Sequence, residues 1–236
     1  MRPPRVTTGP RRLRVYRLVC GLIDLSVSLV VRRVESPRRL PDGPLLVTPN
    51  HLSVLDPLLV AGFLQRCGRT PRFVTTSGVF GVPVVGDVLR YFDHLPLTRK
   101  GSSSVVDAQV RAAVAHLARG ECVVLYPEGR VTPREDFLPA TGMPGVARIA
   151  SLSGAPVVTV GQWGPQQLTG RGRRFATGGL PRRPRTRIAL GEVVHVAPGS
   201  TGRDLVRATK EVMDTITDVV VRLRDAAEAD PRSDGR

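Results

Sequence analysis

The stretch Leu45–Leu59, LLVTPNHLSVLDPLL, decides the fold. It opens on the apolar run Leu45-Leu46-Val47, which reads as a buried strand, and closes on Pro57-Leu58-Leu59-Val60-Ala61, which reads as the start of a helix. Between them stand Asn50, His51 and Asp56. In open α/β sheets this junction, at the carboxyl end of a strand, is where ligands bind. Five residues along a regular helix turn through about 500°, so His51 and Asp56 cannot share a helical face. They can meet only across a turn. Asp56 followed by Pro57 predicts a helix start, with Asp56 as N-cap and Pro57 in the first turn. Residues 51–56 are then a turn able to fold His51 back onto Asp56. Taken singly, Asp56 reads as a cap and His51 as a loop histidine. Together, at a strand end, they favour general-base chemistry, in which the carboxylate fixes the imidazole tautomer. Ser53 is close enough to be weighed as a nucleophile, but no G-x-S-x-G elbow surrounds it. A dyad without a protein nucleophile suits activation of a substrate hydroxyl.

Working outward, the chain of 236 residues is long enough for a single α/β domain, and we find no internal repeat. The segments predict a mostly parallel central sheet flanked by helices. Strands are expected at 72–75, 122–126, 155–160 and 187–190, with a short extended piece at 95–97. Helices are expected at 88–92, 103–119, 142–153 (ended by Gly154) and 201–229, the last with Leu205, Val212, Ile216, Val219 and Leu223 facing inward. The glycine-rich stretch from Gly78 to Gly86 reads as a turn, or else a gate or lipid-facing surface. Tyr126-Pro127-Glu128-Gly129-Arg130 follows a buried strand, so it opens on the same edge as His51 if those strands are parallel.

Residues 1–12 read as a disordered basic tail. From Leu13, Val15, Leu18, Val19, Leu22, Leu25, Leu29 and Val30 recur at helical steps. Arg14, Arg17, Gly21, Asp24 and Ser28 mark the opposite stripe. The run 18–31 is short of the roughly 20 apolar residues that span a bilayer, and it contains Asp24. Two readings stand: an amphipathic helix lying in an anionic membrane surface, or a helix packed on the domain's own core. The arginines at both ends favour the membrane. The expected division is therefore 1–34 as tail and membrane-associated helix, 35–230 as the catalytic domain with its motifs in 45–164, and 231–236 as a flexible end.

The formal charge of +15 implies an anionic partner. Arginines 171, 173, 174, 182, 183, 185 and 187 form the densest basic run, readable as an anion site or as a solvated loop. Aromatic residues make up 4% of the chain, too few for base-stacking platforms, and no nucleic-acid partner is expected. Cys20, Cys67 and Cys122 lack metal or redox spacing, so neither a disulfide framework nor a metal site is expected.

Four segments in order resemble the motifs of the glycerolipid acyltransferase family, whose best-known members are the 1-acyl-sn-glycerol-3-phosphate (lysophosphatidic acid) acyltransferases. Asn50, His51 and Asp56 match N-H-x4-D. His94-Leu95-Pro96-Leu97-Thr98-Arg99 loosely matches the second motif. Tyr126-Pro127-Glu128-Gly129 matches the start of F-P-E-G-T-R-S, and Ala155-Pro156-Val157-Val158-Thr159-Val160 matches the fourth. The resemblance implies that His51 deprotonates an acceptor hydroxyl, with Asp56 orienting it. The acceptor is implied to be held by Asn50, Arg99 and its neighbour Lys100, Glu128, Gly129 and Arg130. Arg99 would take the phosphate, for which a guanidinium fork is suited. The implied donor is acyl-CoA or acyl carrier protein, acting as a co-substrate with no resident cofactor. The implied product is phosphatidic acid, made at the cytoplasmic face of the cell membrane by a peripheral or monotopic enzyme. The chain departs from the family at Arg130-Val131, where Thr-Arg is expected. That leaves open another lysolipid or glycolipid acceptor, beside the further alternative of a non-catalytic anionic-lipid-binding protein.

Overall fold

The apolar run at 45–49 becomes the central strand because both of its faces are covered. In the computed structural model, which describes residues 9–35, 38–98, 101–169 and 184–230, β2 (Leu45–Pro49) is buried along its whole length. Successive side chains alternate between faces. Leu45 and Val47 join Val60, Phe63 and Leu64 of α2 (Asp56–Arg66) in one apolar cluster. Leu46 joins a second cluster with α4 (Ser103–Leu117), α5 (Gly145–Ser153) and α6 (Gly202–Glu228), through Leu117, Ala147 and Ile216. Strands covered on both faces read as unbroken apolar runs, as parallel strands do. Truncating Leu46 to alanine in such a core costs about 2–5 kcal/mol.

One seven-stranded sheet holds the fold, in the order β1-β7-β6-β2-β5-β3-β4. The remaining strands are β1 (Arg32–Glu35), β3 (Pro71–Thr76), β4 (Leu95–Leu97), β5 (Cys122–Leu125), β6 (Val157–Trp163) and β7 (Arg185–Val194). Every neighbouring pair is parallel except β6 and β7. The mostly parallel α/β architecture expected from sequence is therefore present. β5 and β6 flank β2, with Val47 level with Val124 on one side and Val158 on the other. Their carboxyl ends, followed by Tyr126 and closing on Gln162-Trp163, therefore open beside His51.

Several boundaries differ from expectation. The first helix, α1 (Pro10–Val30), begins at Pro10 rather than Leu13. Asp56 is the first residue of α2 rather than its N-cap, and no side chain caps that helix. The expected turn at 78–86 contains a 3-10 helix, Ser77–Gly81, and the start of α3 (Val85–Tyr91). Arg32 and Arg33, expected only as flanking arginines of the first helix, lie in edge strand β1. Its four residues alternate exposed and half-buried, and only pairing with β7 gives them a strand's hydrogen bonds.

Of the basic run, 171–183 lies outside the described residues. Arg187 bonds Asp230 at 3.0 Å and the Ala226 carbonyl at 3.1 Å, and Arg185 also pairs with Asp230. These two arginines fasten β7 to the end of α6 instead of forming an open anion site.

α1 lies against α2 with Tyr16 and Cys20 buried. The face turned to the protein carries Tyr16, Cys20 and Asp24, while Arg14, Arg17 and Gly21 of the polar stripe stay exposed. Asp24 pairs with Arg33 and Arg66, while Leu18, Leu22, Leu25 and Leu29 remain 57–64% exposed. No helix among the described residues is long and apolar enough to cross a membrane.

Candidate active site

The turn after β2 brings His51 and Asp56 together. His51 Nδ1 stands 3.0 Å from Asp56 Oδ2. The same oxygen accepts the backbone N–H groups of Leu52 and Ser53, at 2.5 and 2.9 Å. The carboxylate that would have capped a helix is thus turned back onto the loop, which is why Asp56 serves the histidine and not the helix amides. Burial pushes the Asp56 carboxyl above its ordinary range, against the His51 hydrogen bond and charge and the two amides, which favour the anion. With Nδ1 facing that anion, the proton is assigned to Nδ1. The Nε2 lone pair is left on the part-exposed edge of the ring.

Ser53 is 1% exposed, and its Oγ accepts the Leu55 N–H at 3.1 Å. A hydroxyl sealed into a turn cannot reach a substrate carbonyl, so the serine-nucleophile reading falls away.

Glu128 holds the histidine from the opposite side. Its Oε1 accepts the His51 N–H at 2.9 Å, and Oε2 accepts the Ala140 N–H at 2.9 Å. The His51 carbonyl accepts the Thr132 N–H at 2.8 Å. The 128–140 loop therefore clamps the His51 backbone at both its donor and its acceptor. Burial raises the Glu128 carboxyl above its usual range, against the Ala140 and His51 amides and the His51 charge. Both Glu128 oxygens are engaged by the main chain, so the residue brackets the loop that carries the base while also lining the cavity beside it.

Asn50 is engaged in the same way. Its carboxamide is fully buried and exchanges hydrogen bonds with the Gln162 main chain: Nδ2 to the carbonyl at 3.1 Å, and the Gln162 N–H to Oδ1 at 2.7 Å. Gln162 Nε2 returns to the Asn50 carbonyl at 3.0 Å. These bonds lock the ends of β2 and β6 together and fix the start of the catalytic turn; they leave Asn50 sealed from substrate.

Gly129 closes the turn after β5 at φ 64°, a left-handed conformation that favours glycine. Arg130 follows it, exposed and without an ion-pair partner among the described residues. Together with Glu128, Ala140, Thr141 and Met143 it lines a cavity of about 360 Å3 beside the dyad. Arg99 and Lys100 lie outside the described residues. A larger cavity, of about 520 Å3, runs along the outer edge of β4 past Phe80, Arg90, His94 and His116; neither cavity is lined by His51 or Asp56 themselves, and the smaller one reaches the dyad through Glu128, which accepts the His51 N–H.

Sequence reasoning missed Gln162, Thr132, Ala140 and the stacking of Tyr126 on His51, at 4.3 Å between ring centroids. Tyr126 alone left a signal, a tyrosine where the motif has phenylalanine.

Comparison with known proteins agrees with this arrangement. Residues 31–163 match the family model described as Acyltransferase. A chloroplastic 1-acyl-sn-glycerol-3-phosphate acyltransferase of Arabidopsis thaliana is 27% identical over 166 residues, covering 69% of this chain and 43% of the plant protein. A chloroplastic 1-acyl-sn-glycerol-3-phosphate acyltransferase of Brassica napus is 30% identical over 137 residues, covering 58% and 36%. The chain thus spans less than half the length of either relative. The crystal structure of the 1-acyl-sn-glycerophosphate (LPA) acyltransferase PlsC from Thermotoga maritima superposes with a TM-score of 0.68 at 21% identity, covering 93% of this chain and 83% of that one, a likeness of fold. The family model takes in the dyad, its bracket and the ends of β2, β5 and β6, and with more than half its length matched this chain belongs to the acyltransferase family.

Proposed function

We propose that the chain transfers a fatty acyl group from a thioester, acyl-CoA or acyl carrier protein, to the free hydroxyl of lysophosphatidic acid, giving phosphatidic acid. The observation that carries this reading is a histidine oriented by a buried carboxylate at 3.0 Å, with the neighbouring Ser53 hydroxyl turned into the backbone of its own loop. His51 Nε2 removes the acceptor's hydroxyl proton as the oxygen attacks the thioester carbonyl. Asp56 stabilises the imidazolium. Collapse of the tetrahedral intermediate breaks the C–S bond, and the departing thiolate takes the proton from His51. The thioester is a co-substrate, and none of these steps calls on a metal or a resident cofactor.

Arg130 at the cavity wall and Arg99 are the cations proposed for the acceptor's phosphate, with Lys100 beside Arg99. Arg130 also favours a second reading, the same chemistry on another lysolipid or glycolipid, because it stands where the family motif places threonine. The exposed leucine stripe of α1, with exposed Arg11 and Arg14 toward one end, supports peripheral or monotopic attachment to an anionic surface, which we assign to the cytoplasmic face.

The test is release of free CoA thiol from a long-chain acyl-CoA by the purified chain, with and without lysophosphatidic acid. Release that depends on lysophosphatidic acid supports the first reading. Release only with another lysolipid or a glycolipid supports the second. No release with any acceptor, from either donor, overturns both.

A further inference from the structure

The mechanism above leaves one buried polar pair without work. Tyr126 lies directly after β5 with its ring tilted 31° against His51, 4.3 Å between centroids. Its hydroxyl is buried and meets no hydrogen-bond partner among the described residues. Asp56 is in the same condition at one atom. Oδ2 takes all three of its donors, while Oδ1 is buried and accepts none. A donor and an acceptor are therefore both left unsatisfied around one histidine. Leaving such groups unpaired is costly, and buried polar atoms in native proteins are paired with protein or with ordered water.

We propose that Tyr126 is a positioning residue of the dyad: its hydroxyl is joined through one ordered water to Asp56 Oδ1, so that the carboxylate is shared between His51 and Tyr126. A single water satisfies the pair, accepting the phenol's hydrogen bond and donating one to the carboxylate. Burial, with the Asp56 charge added to it, raises the phenol well above its ordinary pKa. It stays protonated, and so a donor, throughout the working range. The family motif has phenylalanine here, so the hydroxyl is a feature of this chain and not of the motif.

The consequence falls on the base. A carboxylate that accepts a third neutral donor, beside the Leu52 and Ser53 amides, attracts the imidazolium less strongly than one that accepts only those two. Removing the hydroxyl leaves more of the negative charge to His51 and favours its protonated, inactive form. The other ionisable group facing His51 is Glu128, from the loop after β5, and Arg130 lines the cavity beyond it. Neither is changed by the substitution.

The experiment is the pH profile of kcat/KM for Tyr126→Phe against the wild type, with the thermal midpoint of both. The inference rests on His51 being the base, so His51→Ala is run alongside: substantial turnover by that variant overturns the base assignment itself, whatever Tyr126 does. With that assignment intact, Tyr126→Phe is expected to move the acid limb to higher pH by about half a unit to one unit, a three- to tenfold loss on that limb. An acid limb that coincides with the wild type, with the thermal midpoint raised, identifies the hydroxyl as an orphan whose removal merely relieves the core, and overturns the inference. A shift to lower pH overturns it as well.

Discussion

Asp24 of α1 and Arg66 of α2 are joined across the helix pair, Arg66 Nη1 donating to Asp24 Oδ2 at 2.6 Å. Arg33 of β1 grips the other carboxylate oxygen. Gly62 makes the approach possible, because a Cβ there would stand 1.8 Å from Asp24 Oδ1. The acid that argued against a membrane span is the group that fastens α1 to the domain. The helix is docked through Tyr16, Cys20 and Asp24, and its leucines face outward.

Two opposite sets of variants follow. Leu18, Leu22 and Leu25 changed together to serine should leave the thermal midpoint nearly unchanged, within about 0.5 kcal/mol per surface site. Each buried leucine contributes about 1.5 kcal/mol or more, so partition onto anionic liposomes should fall by well over tenfold. Unaltered co-sedimentation would remove α1 from the membrane contact. Asp24→Ala should do the reverse, lowering stability by about 1–3 kcal/mol as two part-buried guanidinium groups lose their acceptor.

The dyad predicts unequal losses. His51→Ala should lower kcat/KM by about 10²–10⁴-fold while the fold persists, because the ring is part-exposed and stacks on one face only. Asp56→Ala should be both inactive and less stable, by about 1–3 kcal/mol, since Leu52 and Ser53 lose their acceptor. Kinetics and denaturant titration of the two variants separate the roles. Equal stability of the pair would contradict the part assigned to Asp56 in holding the turn.

Arg130→Thr, which puts the family's residue at that position, should change which acceptor is used more than how fast the dyad works. We expect KM for a phosphate-bearing acceptor to rise about tenfold, the worth of one charge-assisted contact, with kcat within a few-fold. Arg99→Ala should act in the same direction. Acceptor KM values unmoved in both variants would place the phosphate elsewhere.

His94 carries a pH dependence of stability. Burial, then the charges of Arg72 and His116, depress its pKa from 6.5 to about 3. Its Nδ1 accepts the Phe73 N–H, so the folded state holds the ring neutral. Below pH 6.5 the unfolded chain binds a proton that the folded chain refuses, and stability falls as pH drops from 6.5 toward 3. The slope approaches about 1.4 kcal/mol per pH unit. Thermal melts of His94→Gln across this window should show a shallower slope than the wild type. Parallel slopes would assign the acid sensitivity to other groups.

The histidine and its carboxylate were legible because they lie within one turn and local chemistry decides their meeting. Asp56-Pro57 ahead of an apolar run favours a helix start by local backbone preference, and the five-residue spacing requires a non-helical turn. The covered strands β2 and β5 were legible for a similar reason, since a strand buried on both faces must be apolar throughout. Gly154, at φ 66°, marked the end of α5 by its own backbone preference.

The roles of Asn50 and Glu128 were decided only in three dimensions. Their partners, Gln162 and the His51 amide, lie 112 and 77 residues away. They meet because β5 and β6 flank β2, an order that hydrophobic pattern does not encode. The same holds for α1, whose two stripes were readable but whose direction was not. Periodicity shows that a helix has two faces; which one turns inward depends on what waits there, in this case Gly62, Arg66 and Arg33, set by the packing of other elements. Sequence thus determined the elements and the reacting pair, because those follow from local backbone preference and burial, while the tertiary structure decided which polar groups brace that pair, because long-range hydrogen bonds are chosen by strand order and helix docking.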